Sequence, residues 1–153
     1  MKTKDNANFH IVLVKAWVKK DGKFLMAQRG STELHKPGAW SLPGGKVDNE
    51  VVRDILQSTL KKEVVEEVGI KITDNIELVY NNSFIRSDGA HVVNLTFLCH
   101  WKSGSAQALE DTANVQWFTV EELRNFPDAE DFLQIEINEL VEYLKGSGKT
   151  TIA

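Results

Sequence analysis

Hydrophobic positions divide the chain into alternating extended and helical stretches. Phe9 to Lys19 carries Ile11, Val12, Leu13, Val14, Trp17 and Val18 with little polar interruption, which predicts a strand buried on both faces. Asp21-Gly22 is a hairpin signal, because both residue types tolerate the positive φ of a tight turn, and Phe24 to Gln28 is the returning strand. Gly30 to Gly38, with Pro37, reads as a loop, Trp40 to Leu42 as a short extended piece, and Pro43-Gly44-Gly45 as a break in any regular element. From about Val51 to Val68 the period changes. Leu56, Leu60, Val64 and Val68 recur every four residues as one helical stripe, and Gly69 stands where a left-handed C-cap belongs.

The pattern then returns to strands. Ile72 to Ile85 and His91 to Trp101 predict two long strands joined through Ser87-Asp88-Gly89, and Val115 to Phe118 a short one. Val120 to Leu123 begins a helical turn. Asp128 to Leu144 is a second long helix with Phe132, Ile135, Leu140 and Leu144 as core candidates, and Gly146 to Ala153 is a frayed tail. Strands with two long helices between and after them predict an α/β fold, a sandwich with a mixed β-sheet. There is no repeat or linker. The 153 residues fit one domain over 1–153, with an ordered core of about 8–145.

Composition narrows the function classes. The net charge of −4 leaves no basic surplus to neutralise a nucleic-acid backbone, so no nucleic-acid partner is expected. No apolar run approaches the roughly 20 residues of a membrane span, so no membrane partner is expected. Met1 to Asn8 lacks the apolar centre of a signal peptide, which makes the cytoplasm the expected compartment. The one cysteine, Cys99, has no cysteine partner for a disulfide or zinc site, and its neighbours Phe97 and Leu98 suggest a buried strand thiol.

The informative stretch is Lys61-Lys62-Glu63-Val64-Val65-Glu66-Glu67-Val68-Gly69. On a helix advancing about 100° per residue, Glu67 lies about 40° to one side of Glu63 and Glu66 about 60° to the other. Glu63, Glu66 and Glu67 thus share a face at the edge of the apolar stripe. Like charges at these spacings cost a few tenths of a kcal/mol per pair, and carboxylates near a helix C-terminus oppose the dipole by roughly 0.3–1 kcal/mol each. A bound divalent cation resolves the conflict. Mg²⁺ takes hard oxygen ligands, keeps several waters, and bridges carboxylates to substrate phosphates. A solvated acidic face softened by Lys61 and Lys62 is the bland alternative. Against it stands Pro43-Gly44-Gly45 just upstream, where glycines permit close approach of a ligand.

These residues resemble the Nudix box: Gly, five residues, Glu, seven residues, Arg-Glu, an aliphatic, any residue, Glu-Glu, any residue, Gly, an aliphatic. Glu63, Val64, Glu66, Glu67, Gly69 and Ile70 match its back half. Trp40 to Val47 is similar to the family's usual approach to the box, and Trp117-Phe118 with Glu121-Glu122-Leu123 resembles a common late segment. Three features depart. The box arginine is Lys62, which keeps the charge without the bidentate fork. The interval from Gly45 to Lys62 is about three residues too long. Counting back from Lys62, the first acidic position falls on Asp54; counting forward from the glycines, near Glu50. Helix register favours Asp54, with an Asp54–Lys62 pair in place of the family's Glu–Arg brace and a lengthened loop from Asp48 to Arg53.

The resemblance implies a Nudix α/β/α sandwich and Mg²⁺-dependent hydrolysis, with Mn²⁺ as the other metal, of a nucleoside diphosphate linked to a second group. It implies metal ligation by Glu63, Glu66 and Glu67, with Gly45 in the metal set, and a catalytic group completed by Lys62 and Asp54. The general base is one of these three glutamates or, as in family members that keep it on a later loop, Glu110 or Asp111.

Other residues carry two readings each. Arg29 contacts a substrate phosphate or is a surface arginine; Trp40 and Phe84 stack on a base or pack in the core; Arg86 is a solvated rim residue. With Gly44 and Gly45, Arg29, Trp40 and Phe84 make the candidate substrate-binding set. His10, His35, His91 and His100 show no metal-ligand spacing. Asn94 reads a base edge if its strand lines the pocket. The leading substrate is a nucleoside triphosphate, as in the MutT-like branch. The alternatives are a nucleotide sugar or ADP-ribose, and a non-catalytic domain that senses a nucleotide. The partner is a nucleotide-like small molecule, and the chain is a monomer or a homodimer.

Overall fold

The computed structural model describes residues 9–33, 36–126 and 131–146. The elements run β1 (Ile11–Lys20), β2 (Lys23–Arg29), β3 (Trp40–Ser41), β4 (Gly44–Lys46), α1 (Ile55–Val68), β5 (Lys71–Ile72), β6 (Glu77–Ile85), β7 (His91–Ser103), β8 (Thr112–Phe118), α2 (Val120–Arg124) and α3 (Asp131–Gly146). The sheet is mixed: β1 runs parallel to β7, while β2, β4, β6 and β8 pair antiparallel with their neighbours.

Strand β1 explains the layering. Val14, Ala16 and Val18 pack with Leu60, Val64 and Val68 of α1 and with Phe97 and Cys99 of β7. Trp17 points the other way, into a second cluster with Leu98 and with Leu133, Ile137 and Leu140 of α3. Successive side chains of a strand alternate between faces, so an apolar run there must be covered on both sides. The result is the expected α/β/α sandwich. The hairpin at Asp21-Gly22 forms with positive φ at both residues, and Gly69 caps α1 in the left-handed region with its N–H bonded to the Val65 carbonyl.

Several boundaries differ from expectation. Pro43-Gly44-Gly45 does not break the chain: Gly44 and Gly45 form β4, with Val14 opposite Gly45 and Lys15 opposite Gly44. Helix α1 begins at Ile55 and not at Val51, because Asp54 adopts φ 53°, ψ 42° and turns the chain out of helical geometry; Val51 and Val52 are exposed in the loop before it. The strand expected over Ile72 to Ile85 is two strands, β5 and β6, both paired to β7 and separated by a turn in which Thr73 Oγ1 accepts from the Asn75 N–H. Ile135 is exposed, and the buried face of α3 runs through Leu133, Glu136, Ile137, Leu140, Val141 and Leu144. Its expected start at Asp128, the tail beyond Gly146, His35 and Met1 to Asn8 lie outside the described residues. Among the described residues, no helix is long and apolar enough to cross a membrane.

Candidate active site

The site is built where the β4 backbone meets the last turns of α1. The Gly44 N–H donates to Glu67 Oε1 at 3.1 Å. A Cβ at Gly45 would stand 2.5 Å from Glu63 Oε1, so only glycine leaves that carboxyl its position. The two glycines thus seat two of the three glutamates of the acidic helix face, a relationship that the sequence suggested only as nearness.

Electrostatics sharpen the picture. Burial pushes the Glu67 carboxyl up to about 8, opposed by the Gly44 hydrogen bond and by Arg29 and reinforced by the charges of Glu63 and Glu110. Glu63 is also raised, by burial first and then by the charge of Glu66. Both carboxyls therefore hold protons more tightly than ordinary glutamates, the condition that a cation would relieve. Among the described residues no three carboxylates form a ready-made metal cage. Mg²⁺ does not require one, since it is held by one or two carboxylates together with waters and phosphates. The donor set of hard oxygens on Glu63, Glu66 and Glu67 fits that ion.

A polar cavity of about 40 Å³ adjoins Glu67, lined also by Arg29, Glu33, Ser41, Gly44 and Asp111. Arg29 Nη2 donates to Glu33 at 2.6 Å, which fixes the guanidinium at the rim. Asp111 organises the loop beyond it: its carbonyl accepts the Gly30 N–H at 2.7 Å, and Oδ1 accepts the Thr32 hydroxyl at 2.6 Å. Asp111 is therefore engaged with the 30–32 turn, whereas its neighbour Glu110, at φ 48°, is near enough to raise both Glu63 and Glu67.

The remaining candidates separate. Lys62 does not brace Asp54. Its Nζ donates to Asp48 Oδ2 at 3.2 Å, and Asp54 stands at the N-cap of α1 with no side-chain capping bond. Asp48 is the first residue of the lengthened loop, so the acidic partner of Lys62 comes from the start of that loop and not from its helical end. Asp48 was missed because the helix register pointed past it. Trp40 packs edge-on against Phe118 and Phe126, at 6.0 and 5.9 Å between centroids, in the cluster beneath α3. Phe84, near the end of β6, alternates in phase with Asn82, whose side chain meets Asn94 on the α3 face of the sheet, away from the glutamates of α1.

The model of the NUDIX domain matches residues 10–137. The chain belongs to the NUDIX family. It is a Nudix pyrophosphohydrolase, an enzyme acting on phosphoric anhydrides, and solved structures agree with the fold. A MutT NUDIX hydrolase from Burkholderia pseudomallei is 26% identical, with a TM-score of 0.71 over 87% of this chain and 99% of that one. An ADP-ribose pyrophosphatase from Streptococcus suis is 22% identical, with a TM-score of 0.65 over 91% and 92%. The NUDIX domain of Shewanella oneidensis NrtR, solved with ADP ribose, is 21% identical, with a TM-score of 0.70 over 94% of each chain. No curated protein matches the sequence. Nudix neighbours thus differ in substrate while sharing one sandwich, and the family's chemistry rests on divalent metal ions.

Proposed function

We propose that this Nudix enzyme hydrolyses the diphosphate bond of a nucleoside diphosphate linked to a second group, with a nucleoside triphosphate as the leading substrate and Mg²⁺ as the metal, Mn²⁺ replacing it. The observation that carries the reading is the seat of Glu67: a buried carboxyl, pushed up to about 8, fixed by the Gly44 N–H and flanked by Glu63. A stabilising surface would not gather such groups at a helix C-terminus. The 26% identity to a MutT NUDIX hydrolase over nearly the whole of both chains supports the triphosphate branch.

Glu63, Glu66 and Glu67 hold the metal, with Gly45 leaving the space they need. A divalent ion held there would supply positive charge to the phosphoryl oxygens of the diphosphate. Arg29, at the rim of the cavity beside Glu67, directs its guanidinium at a phosphate. Glu110 takes the proton of the attacking water, since its charge already reaches Glu63 and Glu67 while Asp111 is held by the turn. Lys62 and Asp48 tether the loop that leads into α1. Trp40 and Phe84 lie on the α3 face of the sheet, away from these glutamates.

The test is phosphate and pyrophosphate release from nucleoside triphosphates, nucleotide sugars and ADP-ribose, with Mg²⁺ and with chelator, in the parent and in Glu67→Gln. Chelator-sensitive turnover of triphosphates, reduced at least 100-fold by the substitution, is the expected result. Preference for ADP-ribose or a nucleotide sugar moves the enzyme to that branch. Unchanged turnover in Glu67→Gln sinks the site. Absence of all turnover, with stabilisation by nucleotides, identifies a sensor.

A further inference from the structure

Strand β6 ends the sheet on one side. It pairs with β7 along one edge, and among the described residues no strand pairs with its other edge, so a row of backbone N–H and C=O groups faces outward. A register shift between Leu78 and Tyr80 bulges the start of the strand. Beyond the bulge, Tyr80 to Ile85 pair one to one with Thr96 to His91, a straight run of six residues. Proteins guard such an edge with lysine, proline or very short strands. Tyr80 to Ile85 carries no charge, no proline and no glycine. Its surface is also apolar, with Phe84 39% exposed and Ile85 65%. Strand β8, which among the described residues pairs only with β2, exposes no large apolar side chain. The unguarded edge is therefore that of β6.

The two faces of this run differ. Asn82 lies opposite Asn94 and bonds to it on the α3 side, so Tyr80 and Phe84 project to that side and Asn81, Ser83 and Ile85 to the other. Burial, and then the charges of Glu136 and Glu139, raise the Tyr80 hydroxyl, which places it beside α3. Ile135, one turn before Glu139 and on the same side of that helix, is 45% exposed. It continues the apolar surface of Tyr80 and Phe84 above the strand edge.

We propose that the free edge of β6 binds a second copy of this chain, antiparallel, about a two-fold axis at Asn82. An axis perpendicular to the sheet keeps each face with its like, so only residues of one face meet across it. Centred on Asn82, the pairing sets Tyr80 against the partner's Phe84 and Phe84 against the partner's Tyr80, with Asn82 opposite its own copy between them. On the other face Asn81 meets the partner's Ser83. Aromatic pairs directly across antiparallel strands are favourable, and no like charges are opposed. Moving the axis to Asn81 sets Tyr80 against the partner's Asn82, and moving it to Ser83 does the same to Phe84. The strand is thus complementary to itself in one register, which argues for a second copy over the strand of another protein. Six residues a side, with the helix rim, make an interface smaller than a permanent one, so the dimer dissociates on dilution. The inference rests on the fold and is independent of the substrate.

The experiment is sedimentation velocity of the full chain from about 1 to about 500 µM, a range that spans weak and firm association. The mass is expected to climb from 17.2 kDa toward twice that value. Asn81 and Ser83 are exposed, so both accept charge without disturbing the core. Asn81→Lys with Ser83→Lys opposes lysine to lysine at two places and should weaken association at least tenfold. Mixing that protein with one carrying Asn81→Glu and Ser83→Glu should restore it. A second measurement holds if either charged variant melts early: Asn81→Cys with Ser83→Cys, oxidised, should give a covalent dimer, and each substitution alone should give little. Cys99 is buried and does not compete. A parent that stays monomeric throughout overturns the proposal and leaves the edge to another protein's strand. A dimer that survives the paired lysines in folded protein overturns it in favour of another surface. Cross-linking by either single cysteine variant as readily as by the pair overturns the axis at Asn82.

Discussion

The α-carbon of Gly45 and the carboxyl of Glu63 share one space: a Cβ on the first would lie 2.5 Å from both Cδ and Oε1 of the second. The obstacle is the end of a flexible side chain, which swings away at little cost. Gly45→Ala is therefore expected to change stability by less than about 1 kcal/mol. Activity should fall on the order of 100-fold, because the carboxylate proposed to hold the metal has been displaced by about an ångström. Parallel denaturation curves and metal titrations of activity check this. Normal activity in a stable Gly45→Ala protein would remove Glu63 from the machinery.

Gly44 behaves differently. A Cβ there meets the backbone oxygen of Val14 at 2.1 Å and Lys15 Cα at 2.9 Å, so β1 and β4 must separate. Backbone is not displaced cheaply in a packed sheet. Gly44→Ala is expected to destabilise the protein by about 1–3 kcal/mol, read from the urea midpoint. The two adjacent glycines thus separate a local effect on the site from a global effect on the fold.

Glu67 makes stability depend on pH in a direction opposite to that of an ion-paired carboxylate. Its ordinary value is 4.5 and its folded value about 8. Between those values the folded protein holds a proton that the unfolded chain has released, so this group's contribution is fully present below 4.5 and is lost as pH rises through about 8. Glu63, also raised, has the same sign. The metal-free protein should melt lower at about pH 8.5 than at about pH 5.5, and Mg²⁺ should recover most of the loss if it binds the deprotonated carboxylates as proposed. Glu67→Gln should flatten the dependence. A metal-free melting temperature that rises across this range in the parent, with no such rise in Glu67→Gln, would contradict the burial of Glu67.

Cys99 is buried against the α1 layer, and burial pushes its thiol up to about 12. Thiolate is the reactive form, so the native protein should resist alkylation at neutral pH and react fully in denaturant. Mass spectrometry after iodoacetamide treatment distinguishes the cases. Rapid alkylation of native protein would place the thiol in a mobile or open strand.

Much of this was legible in sequence because hydrophobic period reports burial directly. The apolar run of Ile11 to Val14 with Trp17 and Val18 marked a strand covered on both sides, and Leu60, Val64 and Val68 marked the packed stripe of α1. Gly69 declared its cap. What stayed hidden depends on contacts between distant segments. Gly44 and Gly45 carry no strand propensity and become a strand only because β1 offers them a partner. Only the fold shows that Lys15 of β1 and Glu136 of α3 face each other. The turn that divides β5 from β6 follows from pairing to different parts of β7, which no local pattern records.

The last prediction concerns the brace at the start of α1. Helix register pointed to Asp54 as the partner of Lys62, yet Asp54 is at φ 53°, makes no side-chain cap, and contributes its carbonyl to the Ser58 N–H instead. Backbone, not carboxylate, is what the position supplies. A left-handed conformation disfavours any residue with a Cβ, while glycine gives up unfolded-state entropy, so Asp54→Gly should alter stability by less than about 1 kcal/mol and leave hydrolysis within about twofold of the parent. Lys62 and Asp48, in contrast, act as a pair across the loop. Both are well exposed, and such pairs contribute little to stability. Their effect should appear in the apparent metal affinity, through the loop that carries the glycines toward α1. Lys62→Ala and Asp48→Ala should each raise the Mg²⁺ concentration for half-maximal activity, and the double substitution should add nothing to either. Strictly additive effects, or a large loss in Asp54→Gly alone, would return the brace to Asp54.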